Sequence, residues 1–269
     1  MSMPKNFLGM NILNEGNFTI LLPHDKPEAC YVKTLFCHNN ILYHKRAMWK
    51  KLKSLLLDLL FPKQCLNCQR ETDYLCPDCF SLLEISGFHQ KYRTESFSDL
   101  YFALSYQNPL IKNLIKLFKY EPFIKELAKT LSSTIIAHFQ LLDNPPPFLK
   151  EGSGFVLIPV PLDKKKERWR GFNQAEELGR EIAKFLKIPL LTGCLIKTKE
   201  TIPQVELSDE ERKENIKGAF SVRNDNLIKN KKIILIDDVY TTGSTIIEAA
   251  RVLKKAGVKK VIGVVVARG

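Results

Sequence analysis

One uninterrupted stretch, Lys232 to Ile246, limits what this chain can fold into more than any other. Ile233 to Ile236 read as a buried strand and run straight into two adjacent carboxylates, Asp237 and Asp238. A short loop of hydroxyls and glycine follows, Thr241, Thr242, Gly243, Ser244 and Thr245. Beyond it Ile246, Ala249, Ala250 and Leu253 fall at i, i+3, i+4 and i+7, the spacing of one buried helix face. Strand, loop and helix in this order form a unit of an open α/β sheet. Such sheets place their ligands beyond the carboxyl ends of the strands. Backbone N–H groups at a helix N-terminus reached through a glycine suit a phosphate. Carboxylates at the strand end can accept hydrogen bonds from sugar hydroxyls. Either half alone is ordinary, since acids often end a strand in solvent and Thr/Ser loops often cap helices. Their single register is what marks a site. The stretch lacks both the glycine fingerprint of dinucleotide folds and the Gly-Lys-Ser/Thr ending of a P-loop, which argues against dehydrogenases and NTPases.

From Leu100 onward the chain reads as further strands and helices. Leu100 to Tyr106 reads as a strand, followed by a turn at Asn108-Pro109 and a helix holding Ile111, Leu114, Ile115 and Phe118. A second helix is expected from Pro122 to Phe139, then a Pro/Gly loop from Asn144 to Gly154. Phe155 to Pro159 is an apolar strand. A basic loop follows, with Lys164, Lys165, Lys166, Arg168 and Arg170. Asn173 opens a helix to about Lys187, with Glu176 three residues on as its capping-box partner. Leu190 to Ile196 is a further strand, Ser208 caps a short helix, and Gly218 to Val222 and Val258 to Ala267 are strands. Gly257 is placed to end the helix before the last of them. From Phe155 onward, strands alternating with helices predict a parallel sheet with helices on both faces.

Upstream, Cys65, Cys68, Cys76 and Cys79 form two Cys-x-x-Cys pairs seven residues apart. Each pair can turn two thiolates onto one tetrahedral Zn²⁺, and four protein ligands make a closed, structural site. Between Met48 and Pro62, Trp49, Leu52, Leu55, Leu56, Leu59 and Leu60 line one helical face among lysines. This helix either docks on the core or lies on a membrane surface. Residues 1–47 show no period and read as a disordered or mis-started extension. The expected domains are therefore 1–47, a helix-plus-zinc module at 48–95 and the α/β domain at 96–269. The net charge of +12 favours polyanionic partners. No segment offers the ~20 apolar residues of a membrane span, and paired cysteines suit a metal in a reducing compartment. A cytoplasmic protein without stable membrane insertion is expected.

Several segments occur together and in order: Ile158 to Leu162 (IPVPL), Arg170 to Gly179 (RGFNQAEELG), Gln204 with Leu207, Arg212, Asn215 and Gly218-Ala219-Phe220, then Asp237 to Thr245 (DDVYTTGST). The last resembles the phosphoribosyl pyrophosphate (PRPP) motif of type I phosphoribosyltransferases. With the cysteine pairs, the series is similar to the ComF family over about Met48 to Gly269. The resemblance implies a type I phosphoribosyltransferase-like fold behind a zinc module. It gives Asp237 and Asp238 the ribose hydroxyls and Thr241, Thr242, Gly243, Ser244 and Thr245 the 5′-phosphate. It puts Arg168 and Arg170 near the pyrophosphate, with Mg²⁺ chelated mainly by PRPP. The candidate catalytic residues are Asp237, Asp238, Arg168 and Arg170, and no general base stands out. Family members are tied to DNA uptake and incoming single strands, so single-stranded DNA and competence or recombination proteins are the implied partners. Two functions stay open. One is phosphoribosyl transfer to an unassigned acceptor. The other is a non-catalytic, single-stranded nucleic-acid-binding competence factor. Trp169 and Phe172 could stack bases or anchor the core, and the core suits Phe172 better.

Overall fold

Strand β6 (Lys232–Tyr240) shows how the molecule is layered. Ile233 and Leu235 enter one apolar cluster, while Ile234 and Ile236 enter the other. A strand with two apolar faces belongs inside a sheet covered on both sides. The computed structural model describes residues 62–92, 94, 96–199 and 209–269. The helix expected from Met48 and the extension at 1–47 lie outside the described residues, as do Gln204, Leu207 and the Ser208 cap.

Five strands make the central sheet: β1 (Gln90–Lys91), β2 (Asp99–Ser105), β3 (Phe155–Pro159), β6 and β7 (Lys260–Arg268), in the order β1-β2-β7-β6-β3. The last four in that order are mutually parallel, with Ile234 beside Ile262 and Ile158 beside Leu235. The sheet is not wholly parallel, because β1 pairs antiparallel at the edge. A separate two-stranded antiparallel sheet joins β4 (Leu195–Lys197) to β5 (Phe220–Val222).

The helices are α1 (Pro77–Ser81), α2 (Pro109–Lys119), α3 (Leu127–Leu141), α4 (Lys164–Arg170), α5 (Gln174–Leu186), α6 (Asp209–Ile216) and α7 (Ser244–Lys255). Helix α2 begins where Asn108 accepts from the N–H groups of Leu110 and Ile111, with Pro109 in the first turn. Its Ile111, Leu114, Ile115 and Phe118 are buried, as the spacing predicted. Together with α3 and α5 it covers one face of the sheet. Ile246, Ala249, Ala250 and Leu253 of α7, with β4 and β5, cover the other. Helix α5 lies close on the sheet because Gly179 leaves room. A Cβ there would sit 3.0 Å from Leu157 Cδ2 and 3.2 Å from Leu190 Cδ1.

Several elements differ from the sequence expectation. The basic run 164–170 is a helix, capped by Asp163, whose side chain accepts from Lys166 N. It buries no residue, so no apolar stripe announces it. Helix α3 starts at Leu127 after a turn rather than at Pro122. Leu190 makes only an isolated parallel bridge to Leu157, and the strand there is Leu195–Lys197. Asn173 does cap α5 through Ala175 N, but Glu176 turns outward to Arg180, so the capping box is half formed.

Candidate functional site

The carboxyl ends of β2, β6 and β3 lie along one edge, where Tyr106 N donates to Arg268 O at 2.7 Å and Val160 N to Ile236 O at 2.9 Å. At that edge Asp237 and Asp238 still belong to β6, which runs on to Tyr240. Successive strand residues point to opposite faces, so the two acids are not equivalent. Asp238 is buried, and Lys119 Nζ at the end of α2 lies 2.8 Å from its Oδ1. Asp237 Oδ1 accepts from Asp238 N at 2.9 Å. Burial, then the charge of Asp238, push the Asp237 carboxyl up to about 7, while Lys119 and Lys197 pull the other way. Burial would discharge the Lys119 ammonium, but Asp238 and Asp237 more than compensate and raise it above its ordinary range.

More cations gather around the pair. Lys197 of β4 is brought down to about 8 by burial and by Lys166, against the pull of Asp163 and Asp237. Burial also lowers Arg170, opposed by Asp238, Tyr120 and Asp163. Arg170 Nε is buried without a hydrogen-bond partner. A group of this kind is costly unless something else satisfies it. Arg168 is exposed, and of the two expected arginines Arg170 is the one whose charge acts with Asp238. Trp169 is 59% exposed and stands edge-on to Phe123 at 4.8 Å. Phe172 is buried against Phe118, a core anchor.

Past Tyr240 the chain turns through Gly243, whose φ of 77° places it in the left-handed region. As N-cap it offers α7 no side chain, and Ser244 N, the first N–H of the helix, lies 3.4 Å from Thr242 Oγ1 at the positive end of the helix dipole. Thr242 Oγ1 and Ser244 Oγ lie 2.6 Å apart at this turn. The structure thus joins Asp237, Asp238 and the Thr241–Thr245 turn at one edge, and Ser244 and Thr245 prove to be the first turn of the helix. It adds Lys119, Lys197 and Asp163, which the sequence reading passed over. Lys119 closes the buried apolar face of α2, and a lysine after such a face, on a helix leaving the ligand edge, was the available signal.

The four-cysteine knuckle is a second centre. Cys65, Cys68, Cys76 and Cys79 are free thiols whose sulfur atoms all lie within 4.8 Å of one another. Cys76 N lies 3.4 Å from Cys65 Sγ, and Asn67 Nδ2 lies 3.3 Å from Cys79 Sγ. Such donors favour thiolates. Burial opposes ionisation of Cys65, yet hydrogen bonds from Cys68, Cys76 and Asn67 bring it down to about 6. Cys79 gains from Asn67 but is pushed up to about 12 by burial and its neighbouring thiols. Four thiolates so close need a cation between them, and the donor set fits a tetrahedral soft metal ion. Cys65, Leu75, Cys76 and Cys79 belong to the same apolar cluster as Tyr101, Leu104 and Phe139. His138 also lies in that core, its Nδ1 2.6 Å from Ser86 O.

Residues 173–269 match the phosphoribosyl transferase domain family. Competence protein F of Haemophilus influenzae is 39% identical over 107 residues, 39% of this chain and 47% of that one. Competence protein ComFC of Bacillus subtilis is 37% identical over 110 residues, 38% of this chain and 40% of that one. DNA utilization protein YhgH of Escherichia coli K12 is 34% identical over 101 residues, 38% and 44% respectively. The chain thus spans less than half the length of these relatives. With the mostly parallel covered sheet and the four-cysteine cluster, these likenesses agree with the motifs, and the chain is similar to ComF-family proteins and carries a phosphoribosyltransferase-like domain.

Proposed function

We propose that the carboxyl edge of the sheet binds PRPP with Mg²⁺ and that the protein serves DNA uptake. One observation carries the first part. The acid pair at the end of β6 leads, within a few residues, into a helix whose N-cap is a glycine with no capping side chain. Asp237 and Asp238 receive the ribose hydroxyls, and the Thr241–Thr245 turn with the first N–H groups of α7 receives the 5′-phosphate. Arg170, Lys119 and Lys197 supply positive charge beside them. Mg²⁺, carried mainly by PRPP, would neutralise the pyrophosphate as it departs. In phosphoribosyl transfer an acceptor nitrogen attacks C1′ while pyrophosphate leaves. The protein's part is to hold the sugar still and stabilise the charge on the leaving group. Isothermal titration of the protein with PRPP and Mg²⁺ tests binding, with the Asp237→Asn/Asp238→Asn double variant as control. Heat from the wild type and none from the variant supports the reading, and no heat from the wild type ends it.

The part in DNA uptake rests on the names of the relatives, two competence proteins and a DNA utilization protein. A second reading, single-stranded nucleic-acid binding, is favoured by α4. It exposes Lys164, Lys165, Arg168 and the indole of Trp169, charge and a stacking ring on the helix that ends at Arg170. Binding to single-stranded DNA that did not weaken as salt rises would refute it. For the cysteine knuckle the proposed metal is Zn²⁺, and reduced thiols suit the cytoplasm.

A further inference from the structure

Lys119 lies outside the motifs that carry the ComF resemblance and outside residues 173–269 of the family match. It is the last residue of α2, a helix from the N-terminal half of the domain, yet it reaches the acid pair across the sheet edge. Its Nζ is 2.8 Å from Asp238 Oδ1, with the ammonium 26% and the carboxylate 6% exposed. Two adjacent carboxylates at a half-buried strand end repel each other, and discharging one of them is the easiest relief. Besides Lys119, Lys197 of β4 acts on Asp237 and Arg170 at the end of α4 on Asp238, and around these cations stand Tyr106 by Lys119, Tyr120 and Asp163 by Arg170, and Lys166 by Lys197. Among the ion pairs of the described residues, Lys119 is the cation in direct contact with either acid.

We propose that Lys119 is a positioning residue of the PRPP site, the counter-ion that lowers the pH above which Asp237 and Asp238 are ionised together, so that both can accept hydrogen bonds from the sugar. This role rests on the PRPP reading above. Without Lys119 the burial of the pair and its mutual repulsion go unanswered on the α2 side. One acid then keeps its proton to a higher pH and, as a donor, no longer accepts from a hydroxyl at that oxygen. Lys119 lies on the one carboxylate oxygen of Asp238 for which the structure records an ion pair. A sugar hydroxyl bound there must share or displace the ammonium, so this lysine tunes affinity as well as charge.

The test compares wild type, Lys119→Met and Lys119→Arg. PRPP affinity with Mg²⁺ is measured by titration calorimetry from about pH 6 to about pH 9. The carboxyl titration of Asp237 and Asp238 is followed separately, without ligand, by ¹³C NMR. For Lys119→Met the acid limb of the affinity profile should move up by about one pH unit or more, with affinity at neutral pH about tenfold weaker. The NMR titration should shift the same way, and Lys119→Arg should restore both. A merely structural lysine would lower the melting temperature without moving either pH profile. A wild type that gives no heat overturns the PRPP reading and this role with it. A wild type that binds, with Lys119→Met binding and titrating like it, overturns the Lys119 role alone. If Lys119→Met does not fold, Lys119→Gln against Lys119→Arg makes the same comparison.

Discussion

At the scale of single residues, the acid pair and the glycine that follows it make the most exposed commitments. The Asp237 carboxyl is raised from 3.8 to about 7, chiefly by burial. The folded protein therefore holds this proton at a higher pH than the unfolded chain does. Its contribution to stability is fully present below pH 3.8 and is lost as pH rises through about 7. Asp237→Asn should accordingly raise the melting temperature above pH 7 by about 2–4 °C for each kcal/mol relieved, and give no gain near pH 4. Calorimetric scans at both pH values check this, and a gain at low pH alone would contradict it. Function runs the opposite way, because PRPP affinity should climb through about pH 7 as Asp237 loses its proton. Gly243 faces a different constraint. An added Cβ would meet the Tyr240 ring at 2.2 Å, at a φ of 77° that side chains rarely adopt. Gly243→Ala should cost about 1–3 kcal/mol of stability and most of the PRPP heat. Urea denaturation and calorimetry measure the two effects.

At the scale of elements, α7 holds more than the candidate phosphate turn. Glu248 on its buried side accepts from Gly218 N at 2.8 Å and from Arg251 Nε at 2.7 Å. The Arg251 bonds and burial act oppositely on it, and its carboxyl is held below the ordinary range. Removing the acceptor leaves the Gly218 N–H without that bond, next to the start of β5. Glu248→Ala should destabilise the protein by about 1–3 kcal/mol, read from the urea midpoint. An unchanged midpoint would mean water serves the Gly218 N–H equally well. Sequence reading succeeded where an element buries a regular stripe and faltered where it does not. The stripes of α2 and α7 were legible because Ile111, Leu114, Ile115 and Phe118, and Ile246, Ala249, Ala250 and Leu253, all face inward. Helix α4 was read as a loop because none of its residues is buried, and its cap, Asp163, precedes a run with no apolar period. Leu190 looked like a strand because it is apolar, but it bridges to β3 at one position only.

At the scale of the whole molecule, the cysteine knuckle is part of the core rather than an appendage. Cys65, Cys76 and Cys79 are buried in one cluster with residues of β2, α2, α3 and α5, within the unit Pro62–Gly269. Withdrawing a bound metal should therefore lower a single cooperative transition of the α/β domain instead of melting a separate one. Differential scanning calorimetry with and without a chelator, and with Cys76→Ser, tests this. A small early transition with the main one unmoved would show the knuckle to be independent. Binding free energy at such sites is folding free energy, so the shift should be large. Among the described residues no helix is long and apolar enough to cross a membrane.

The sequence by itself determined whatever is local in the chain. Strand, acid pair, glycine turn and helix follow one another between Lys232 and Lys255, so their chemistry and order can be read without a fold. The two Cys-x-x-Cys pairs are local in the same sense, and their spacing named a metal knuckle before the sulfur atoms were seen within 4.8 Å of one another. Only the tertiary structure decided which charges meet across the chain. Lys119 stands more than a hundred residues before Asp238, and Lys197 lies on a different sheet from Asp237. Periodicity tells which face of a helix is buried but not which loop its last residue reaches. That depends on the strand order β1-β2-β7-β6-β3, which sets the carboxyl ends of β2 and β6 on one edge and lets α2 return its terminal ammonium to the acid pair.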